Sequence, residues 1–443
     1  MKNHFLALVI AFSFTTLAQT DPRIYDIIQK VSAKNIEADI TTLANFGTRN
    51  TFSDTLSSTR GIGAARRWIK AEFDQISLNC DACLEVFYQK DLVKAASSKR
   101  VPRDTWVVNV VAIQKSKTGS NRYIIISGDI DSRNSDGSDF IKDAPGANDN
   151  ASGMAGAIEA ARVLSSYRFD ANIVYLGLSG EEQGLFGGAG FARYAQDNNW
   201  DIIGVLNNDM IGNIKGVDGV ISNVDFRIFS EPVPPTETQK QRRLRRFYGG
   251  EVDGISRQLA RYVFKTTKTY MPQLNPMMIY RLDRFGRGGH HRPFNDLGYP
   301  AIRIMEAHEN YTQQHQDIRT QDGIEYGDKL KFVNFNYAKK LTAVNAITMA
   351  SLAWAPKAPT NVAIGGMVAP AVKLRWEKSK NAVGYKIYWR DTTSPTWDYS
   401  RVVGDVDHFS LDGVVIDNFF FGVASIAEDG HESVVVFPSA IFR

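Results

Sequence analysis

Cysteine is almost absent from this sequence of 443 residues, which contains only Cys80 and Cys83, in the segment NCDAC. A structural zinc site built on such a pair needs a second pair, and none exists. A redox CxxC motif usually opens a helix directly after a strand. In an exported chain such a pair is more typical of a local structural disulfide, so we predict a Cys80–Cys83 bond.

Long apolar runs and a strong charge imbalance are also missing. After the N-terminus, no segment approaches the roughly 20 consecutive apolar residues of a membrane-spanning helix, so no membrane span is expected. The formal net charge is only +4, which does not favour nucleic acid as a partner. The one basic run, QKQRRLRR at residues 239–246, predicts a solvated helix face.

The N-terminal segment has the pattern of an export signal. Lys2 precedes an apolar run from Phe5 to Leu17, and small residues stand at Thr16 and Ala18, before Gln19. The run is too short to span a bilayer. We therefore predict a signal peptide over residues 1–18 and a mature chain that is secreted or periplasmic.

The sequence pattern of the remaining chain changes at the proline-spaced segment WAPKAPTNV, from mixed helices and strands to strands alone. We predict a catalytic domain at residues 19–353, a linker at 354–358 and a second domain at 359–443. In the first domain, apolar runs beginning at Tyr123, Asn172, Ile202 and Pro300 predict buried parallel strands.

Helical periods lie before and between these strands. Residues 64–76 have a helical spacing of apolar residues, and residues 152–164 predict a helix with Ser152 as its N-cap. Strands that alternate with helices favour an α/β fold with a mixed, largely parallel sheet flanked by helices.

The last segment is strand-rich throughout, with VKLRWEK, GYKIYWR, NFFFGVASI and SVVVF separated by turn residues. It resembles a fibronectin type III sandwich, which implies that Trp376 is a core residue and that Phe419, Phe421 and Val423 alternate inward. Such a domain serves either as a spacer or as a contact with a surface polymer or protein.

Acidic residues follow the predicted strands at the point where each one ends. Ligands bind beyond the carboxyl ends of strands in open α/β sheets, and carboxylates gathered there repel one another unless cations neutralise them. The sequence therefore predicts a metal centre at this edge. The residues concerned are Asp129, Asp131, Asp149, Glu181, Glu182 and Asp209, followed by His308 and His315.

Five motifs, taken in this order, resemble the co-catalytic zinc aminopeptidases, metallopeptidase family twenty-eight, of the bacterial leucyl aminopeptidase type. The resemblance extends from Val31 to about Ala353. The motifs are APGANDNASG, SGEEQGLFGG, NNDMIG, GHHRPFNDLGYPAI and HQDIRTQDG.

The resemblance implies a role for each matching residue. Asp149 would bridge two metal ions, with Glu182 and His315 completing one site and Asp209 belonging to the other. Glu181 would be the general base that activates a water molecule for attack on a peptide substrate. The family also implies zinc as the cofactor and a cis peptide bond between Asp149 and Asn150.

This chain departs from the family pattern at two positions. Asp129 stands where the family has a histidine ligand that Asp131 would orient, and His290 stands where the family has an acidic residue. Either Asp129 is itself a ligand, so that Mn or Mg competes with zinc there, or a single zinc is held by Asp149, Glu182 and His315. A minor alternative makes His290 the substitute ligand.

These patterns predict an exported metal-dependent exopeptidase, and among exopeptidases they favour an aminopeptidase. The alternatives are a mononuclear glutaminyl cyclase-like transferase and a binding ectodomain without catalysis. A carboxypeptidase would need a basic clamp for the substrate carboxylate, which Arg281, Arg284 and Arg287 could supply.

Overall fold

A computed structural model describes residues 20–442. The predicted signal peptide, residues 1–18, lies outside the described residues. The described α-helices are α1 (Pro22–Lys30), α2 (Ala33–Asn45), α3 (Gly61–Leu78), α4 (Ala151–Leu164), α5 (Glu181–Gly184), α6 (Phe186–Asp197), α7 (Gln239–Tyr248), α8 (Ile255–Tyr270), α9 (Arg292–Asp296) and α10 (Phe335–Trp354).

The strands fall into a larger α/β part and a smaller C-terminal part. The first part contains β1 (Leu84–Val93), β2 (Thr105–Gln114), β3 (Arg122–Asp129), β4 (Asn172–Leu178), β5 (Asp201–Asn208), β6 (Asp225–Ser230), β7 (Asn275–Ile279), β8 (Ala301–Glu306), β9 (Arg319–Gln321) and β10 (Ile324–Tyr326). The second contains β11 (Thr360–Gly365), β12 (Ala371–Glu377), β13 (Gly384–Asp391), β14 (Tyr399–Val403), β15 (His408–Asp412), β16 (Phe419–Ile426) and β17 (Ala440–Ile441).

An eight-stranded sheet forms the centre of the α/β part, in the order β1-β2-β4-β3-β5-β8-β6-β7. The four strands predicted from apolar runs, β3, β4, β5 and β8, are mutually parallel and adjacent, which confirms that prediction. Strands β1 and β2 pair antiparallel, β6 is antiparallel to β8, and β7, parallel to β6, completes the mixed sheet. The edge strand β1 is less continuously apolar, since only three of its ten residues are buried.

Helices cover both faces of this sheet, and β3 shows why its sequence is a continuous apolar run. Ile124 and Ile126 pack with α4 and α10, whereas Ile125 faces the opposite layer with Phe191 of α6. Gly128 lies so close to α4 that an added Cβ would come within 2.4 Å of the Met154 nitrogen. Helix α4 is therefore packed tightly against the end of β3.

The N-cap of α4 differs from the prediction. Asn150, not Ser152, is the capping residue, because its side-chain oxygen accepts a hydrogen bond from the Gly153 N–H. Elsewhere, Cys80 and Cys83 form the disulfide predicted after the first long amphipathic helix. Within residues 20–442, no helix has the combined length and apolar character needed to cross a bilayer.

The C-terminal part consists of two sheets, β15-β12-β11-β17 and β14-β13-β16, that pack face to face. Trp376 of β12 lies in the shared core, together with Phe421 and Val423 of β16. Phe419 is only partly buried at the edge of this core. The inward alternation predicted for the penultimate strand is thus present at its two central positions.

Buried ion pairs join the two parts of the chain. Asp253, which precedes α8, accepts from Arg261 of α8 at 2.9 Å and from Arg390 of β13 at 2.7 Å. Glu432, in the loop after β16, lies 2.7 Å from Lys265 of α8 and 3.0 Å from Lys386 of β13. The C-terminal part is therefore held against α8 by ion pairs, of which the two made by Asp253 are almost fully buried.

Replacing Glu432 by glutamine should destabilise the protein in a pH-dependent way. Burial opposes ionisation, but Lys265 and Lys386 lower the Glu432 pKa from 4.5 to about 2. The stabilisation is therefore fully present above pH 4.5 and is lost as the pH falls towards 2. Denaturant unfolding should show Glu432→Gln less stable by roughly 1–3 kcal/mol at neutral pH, with the difference shrinking in acid.

The exposed Glu428 provides the matched control, since Glu428→Gln removes a carboxylate of the same loop that lies outside the ion-pair network. This variant should unfold like the wild type at every pH. A deficit in Glu432→Gln that stays constant from neutral pH to about pH 3 would contradict the assigned role of the charge.

Candidate metal centre and active site

A cavity of about 750 Å³ opens at the carboxyl ends of the parallel strands. Asp149 precedes α4, Glu181 and Glu182 follow β4, and Asp209 follows β5. His315 comes from the long loop after β8. These five side chains, predicted from successive strand ends, all line this one cavity.

Three of these side chains converge on one point. Nε2 of His315 lies 2.8 Å from Oδ2 of Asp149 and 2.9 Å from Oε1 of Glu182. One ligand atom from each residue lies within 4.8 Å of the others. Two carboxylates and one imidazole, open to a cavity, form a donor set that suits a catalytic zinc with a free coordination position.

The field at this point favours a cation. Burial alone would lower the pKa of His315, but Glu182 and Asp149 raise it to about 9. The same imidazole lowers the pKa values of both carboxylates, against the effect of their burial. Two carboxylates that meet at one nitrogen make this point negative, and a divalent ion would neutralise that charge.

Asp149 is held in place through its backbone. Asp328 accepts hydrogen bonds from the N–H groups of Asn148 and Asp149, the latter at 2.7 Å. Gln314 donates to Oδ2 of Asp149 at 3.0 Å. The peptide bond between Asp149 and Asn150 is cis, as the resemblance implied.

Asp131 fixes the turn that carries the two glutamates. Its carboxylate accepts the backbone N–H of Glu181 at 3.2 Å and that of Glu182 at 3.1 Å. Thr51 donates to the same carboxylate. Asp131 thus contacts the start of α5 and not, as the resemblance suggested, the side chain at position 129, because Gly180 turns the chain back over it in a left-handed conformation.

Glu181 is half-buried in the cavity wall, and none of the described residues forms an ion pair with it. Burial, followed by the nearby carboxylates of Glu182 and Asp209, raises its pKa well above the ordinary value. Its neighbour Glu182 instead points to His315. Adjacent residues at the start of a short helix therefore separate into one metal donor and one free carboxylate.

Asp129 lies beside the metal donors but does not converge with them. Its Oδ2 accepts from Asn150 at 2.7 Å, and its Oδ1 lies 2.5 Å from Nδ1 of His290. Burial opposes the charged form of both groups, since it raises the pKa of Asp129 to about 8 and lowers that of His290 to about 4. The two residues that depart from the family pattern are therefore direct partners.

Asp209 also has a protein partner. Its Oδ2 lies 2.7 Å from Arg303, a fully buried arginine of β8 that also binds Asp283. Oδ1 of Asp209 is buried and accepts no hydrogen bond from any residue between 20 and 442. One oxygen of this carboxylate is thus neutralised, and the other is without a donor.

Several residues of the site were missed from the sequence. Arg133 donates to Glu182 at 2.6 Å and contacts Nδ1 of His315 at 2.6 Å. Arg303 and Asp328 support Asp209 and Asp149 from distant segments. Of these residues, only Arg133 could have been predicted from the sequence, because it directly follows the acidic segment DIDS.

Replacing Asp131 by asparagine should destabilise the Glu181–Glu182 turn. An amide nitrogen cannot accept, so one buried backbone N–H would lose its partner, at a cost of about 1–3 kcal/mol. Denaturant unfolding measures this loss. Asp136→Asn is the matched control, because Asp136 is exposed and asparagine can still accept from the Ser138 N–H. Equal stability of the two variants would contradict the role assigned to Asp131.

Comparison with known proteins places these features in one family. Residues 109–331 match the family described as Peptidase family M28. A probable zinc metalloprotease of Pyrenophora tritici-repentis is 35% identical over 94% of this chain and 98% of its own length. Another, from Leptosphaeria maculans, is 39% identical over 94% and 97%.

The fold is also similar to a solved structure. The LapA aminopeptidase of Legionella pneumophila aligns with a TM-score of 0.53 at 17% identity, covering 75% of this chain and 74% of its own. That similarity shows the shared fold of the α/β part. With full-length relatives above 30% identity and a family match that includes every converging donor, the chain belongs to peptidase family M28.

Proposed function

We propose that this protein is a zinc-dependent exopeptidase that removes residues from the free amino end of peptides. The observation that carries the proposal is the convergence of Asp149, Glu182 and His315 beside the unpaired carboxylate of Glu181. The relatives from Pyrenophora and Leptosphaeria are named as probable zinc metalloproteases, which supports zinc as the ion.

Glu181 is the proposed general base. Zinc bound by the three donors would supply Lewis acidity, polarising a peptide carbonyl and lowering the pKa of a water molecule. Glu181 lies in the same cavity, where it would take a proton from an attacking water molecule and pass it to the leaving amine. A carboxylate whose pKa is raised by burial is suited to both transfers near neutral pH.

Asp209 favours the amino end of the substrate. Its Oδ1 is buried at the cavity wall and lacks a donor among the described residues. A substrate ammonium group that enters the cavity would be attracted by the carboxylate of Asp209. An acetylated amino end carries no charge, so we propose aminopeptidase specificity.

We propose that one zinc ion is bound per chain. A second ion would need Asp129 and Asp209, but Asp129 is saturated by Asn150 and His290, and Asp209 is paired with Arg303. The ligand role expected for Asp129 then gives way to a supporting one. The proposed site therefore includes no Mn or Mg ion at Asp129.

Elemental analysis of the purified protein should find one zinc per chain. His315→Ala should lose the ion, because it removes the only nitrogen donor of the site. Asp129→Asn should bind as much zinc as the wild type, since the amide keeps an acceptor for one neighbour and ligates nothing. Two ions in the wild type and one in Asp129→Asn would instead make Asp129 a ligand.

The reciprocal exchange offers a second arm of this experiment. In Asp129→His/His290→Asp, the family arrangement is restored, and the zinc content should rise towards two ions. Each single exchange places like groups in contact in a buried position and should unfold more easily than the double variant. A double variant no more stable than the singles would show that the two positions are not coupled.

Peptide hydrolysis tests the reaction. The protein should release the first residue of a peptide with a free amino end and leave its N-acetylated form intact. Glu181→Gln should lower kcat by at least about 100-fold while retaining zinc, because the general base is lost. Conversion of an N-terminal glutamine without release of any residue would identify a cyclase, and full zinc content with neither activity would identify a binding protein.

Export and the role of the C-terminal part are further proposals. A disulfide between Cys80 and Cys83 is typical of exported chains and supports a secreted or periplasmic location. The face-to-face sheets around Trp376 support a fibronectin type III-like domain, which we propose acts as a docked spacer. N-terminal sequencing of protein recovered outside the cell should begin at Gln19, and an intact Met1 would contradict export.

A further inference from the structure

We propose that the substrates are short peptides that carry a carboxylate close to the scissile bond, on the leaving side. This inference rests on the proposed peptidase function and adds a substrate class to it. The carboxylate has two sources, an aspartate or glutamate side chain in the leaving residue or the free carboxyl end of a dipeptide. Both present the same group to the cavity.

Basic residues outnumber acidic residues in the cavity wall by six to four. Four acidic residues line it, and the described lining contains one apolar side chain larger than glycine, Leu185. With zinc bound, positive charge would predominate still more. The basic residues of the lining are Lys99, Arg100, Arg133, Arg284, Arg287 and Arg292.

Three of these cations already have carboxylate partners, among them Arg287, whose Nη1 lies 3.5 Å from Oε2 of Glu309. Arg133 binds Glu182 at 2.6 Å, and Arg284 is buried against Glu309 at 3.0 Å. They belong to the support of the site and have little charge to offer a substrate. The expected clamp of Arg281, Arg284 and Arg287 is not assembled, since Arg281 is exposed outside the cavity lining.

Three cations are left without an acidic partner among residues 20–442. Lys99 and Arg292 are exposed at the cavity and form no ion pair. Arg100 donates to the backbone carbonyl of Glu182 at 2.6 Å, a contact that leaves its charge uncompensated. A surface that gathers unpaired cations around one opening attracts anionic ligands.

These cations lie close to the metal donors. The contact of Arg100 is with Glu182 itself. A substrate carboxylate near the scissile bond would therefore meet the guanidinium group of Arg100, and guanidinium groups bind carboxylates in a bidentate manner.

The two ends of such a substrate fit opposite charges of the same cavity. The substrate ammonium would be attracted by the carboxylate of Asp209, and the substrate carboxylate would face Lys99, Arg100 and Arg292. A leucine-type side chain finds only Leu185 as an apolar neighbour. The wall thus selects by charge and not by apolar burial.

Hydrolysis of matched peptides tests the inference. The substrates are Ala-Ala amide, which has no carboxylate, Ala-Glu amide, which has one in the side chain, and Ala-Ala, which has one at its carboxyl end. We expect at least a tenfold higher kcat/KM for one or both carboxylate peptides than for Ala-Ala amide. The advantage should shrink as salt is raised, because exposed charges are screened.

Variants identify the residues responsible. Arg292→Gln and Lys99→Gln should each reduce, at least threefold, the ratio of kcat/KM for the carboxylate peptides to kcat/KM for Ala-Ala amide. Both variants should retain zinc. The effect is expected because both residues are exposed and unpaired. Arg243→Gln is the matched control, since Arg243 is an exposed arginine of α7 outside the cavity. That control should leave all three rates unchanged.

The outcomes separate this inference from the proposed function. Equal rates for all three peptides would overturn the inference and leave the peptidase standing. A preference that survives in Arg292→Gln and Lys99→Gln would also overturn it, because other groups would then recognise the carboxylate. Full zinc content without hydrolysis of any peptide would overturn both proposals. An advantage for only one carboxylate peptide supports the inference and identifies the source of the group.

Discussion

The structure is organised around the burial of six carboxylates at one edge of a sheet, where each must find a cation or a donor. Arg303 neutralises Asp209, and Arg133 and His315 neutralise Glu182. Asp131 and Asp129 are satisfied by backbone and side-chain donors. Glu181 alone has no such partner among the described residues. Charge compensation thus leaves one carboxylate free beside one group of metal donors, which is the arrangement that hydrolysis requires.

Relative to the pattern that the family resemblance implies, positions 129 and 290 have exchanged a histidine and an acid. The contact between these two side chains gives the exchange a physical explanation. Either change alone would place two acids or two imidazoles in contact in a fully buried site. Together they preserve a hydrogen-bonded acid–imidazole pair, with the two groups in opposite positions. The pair therefore keeps the core of the site intact while the side chain nearest Asn150 changes from a nitrogen donor to a saturated carboxylate.

The sequence was most informative where a residue's chemistry is determined by its own strand. Continuous apolar runs predicted β3, β4, β5 and β8, and the acids that follow them led to Asp149, Glu182 and Asp209. The edge strand β1 was missed because it has neither a continuous apolar run nor a regular alternation, with only three of its ten residues buried. Arg303 and Asp328 could not be predicted, since they reach the site from segments far along the chain. The contact between Asp129 and His290, 161 residues apart, needed three-dimensional proximity.

The central claim is a single zinc ion at Asp149, Glu182 and His315, with Asp129 engaged by His290. Anomalous diffraction from crystals of the wild-type protein, recorded on both sides of the zinc absorption edge, tests it most directly. The account predicts one anomalous peak in contact with these three side chains and none between Asp129 and Asp209. A second peak of similar height contacting Asp129 would contradict it.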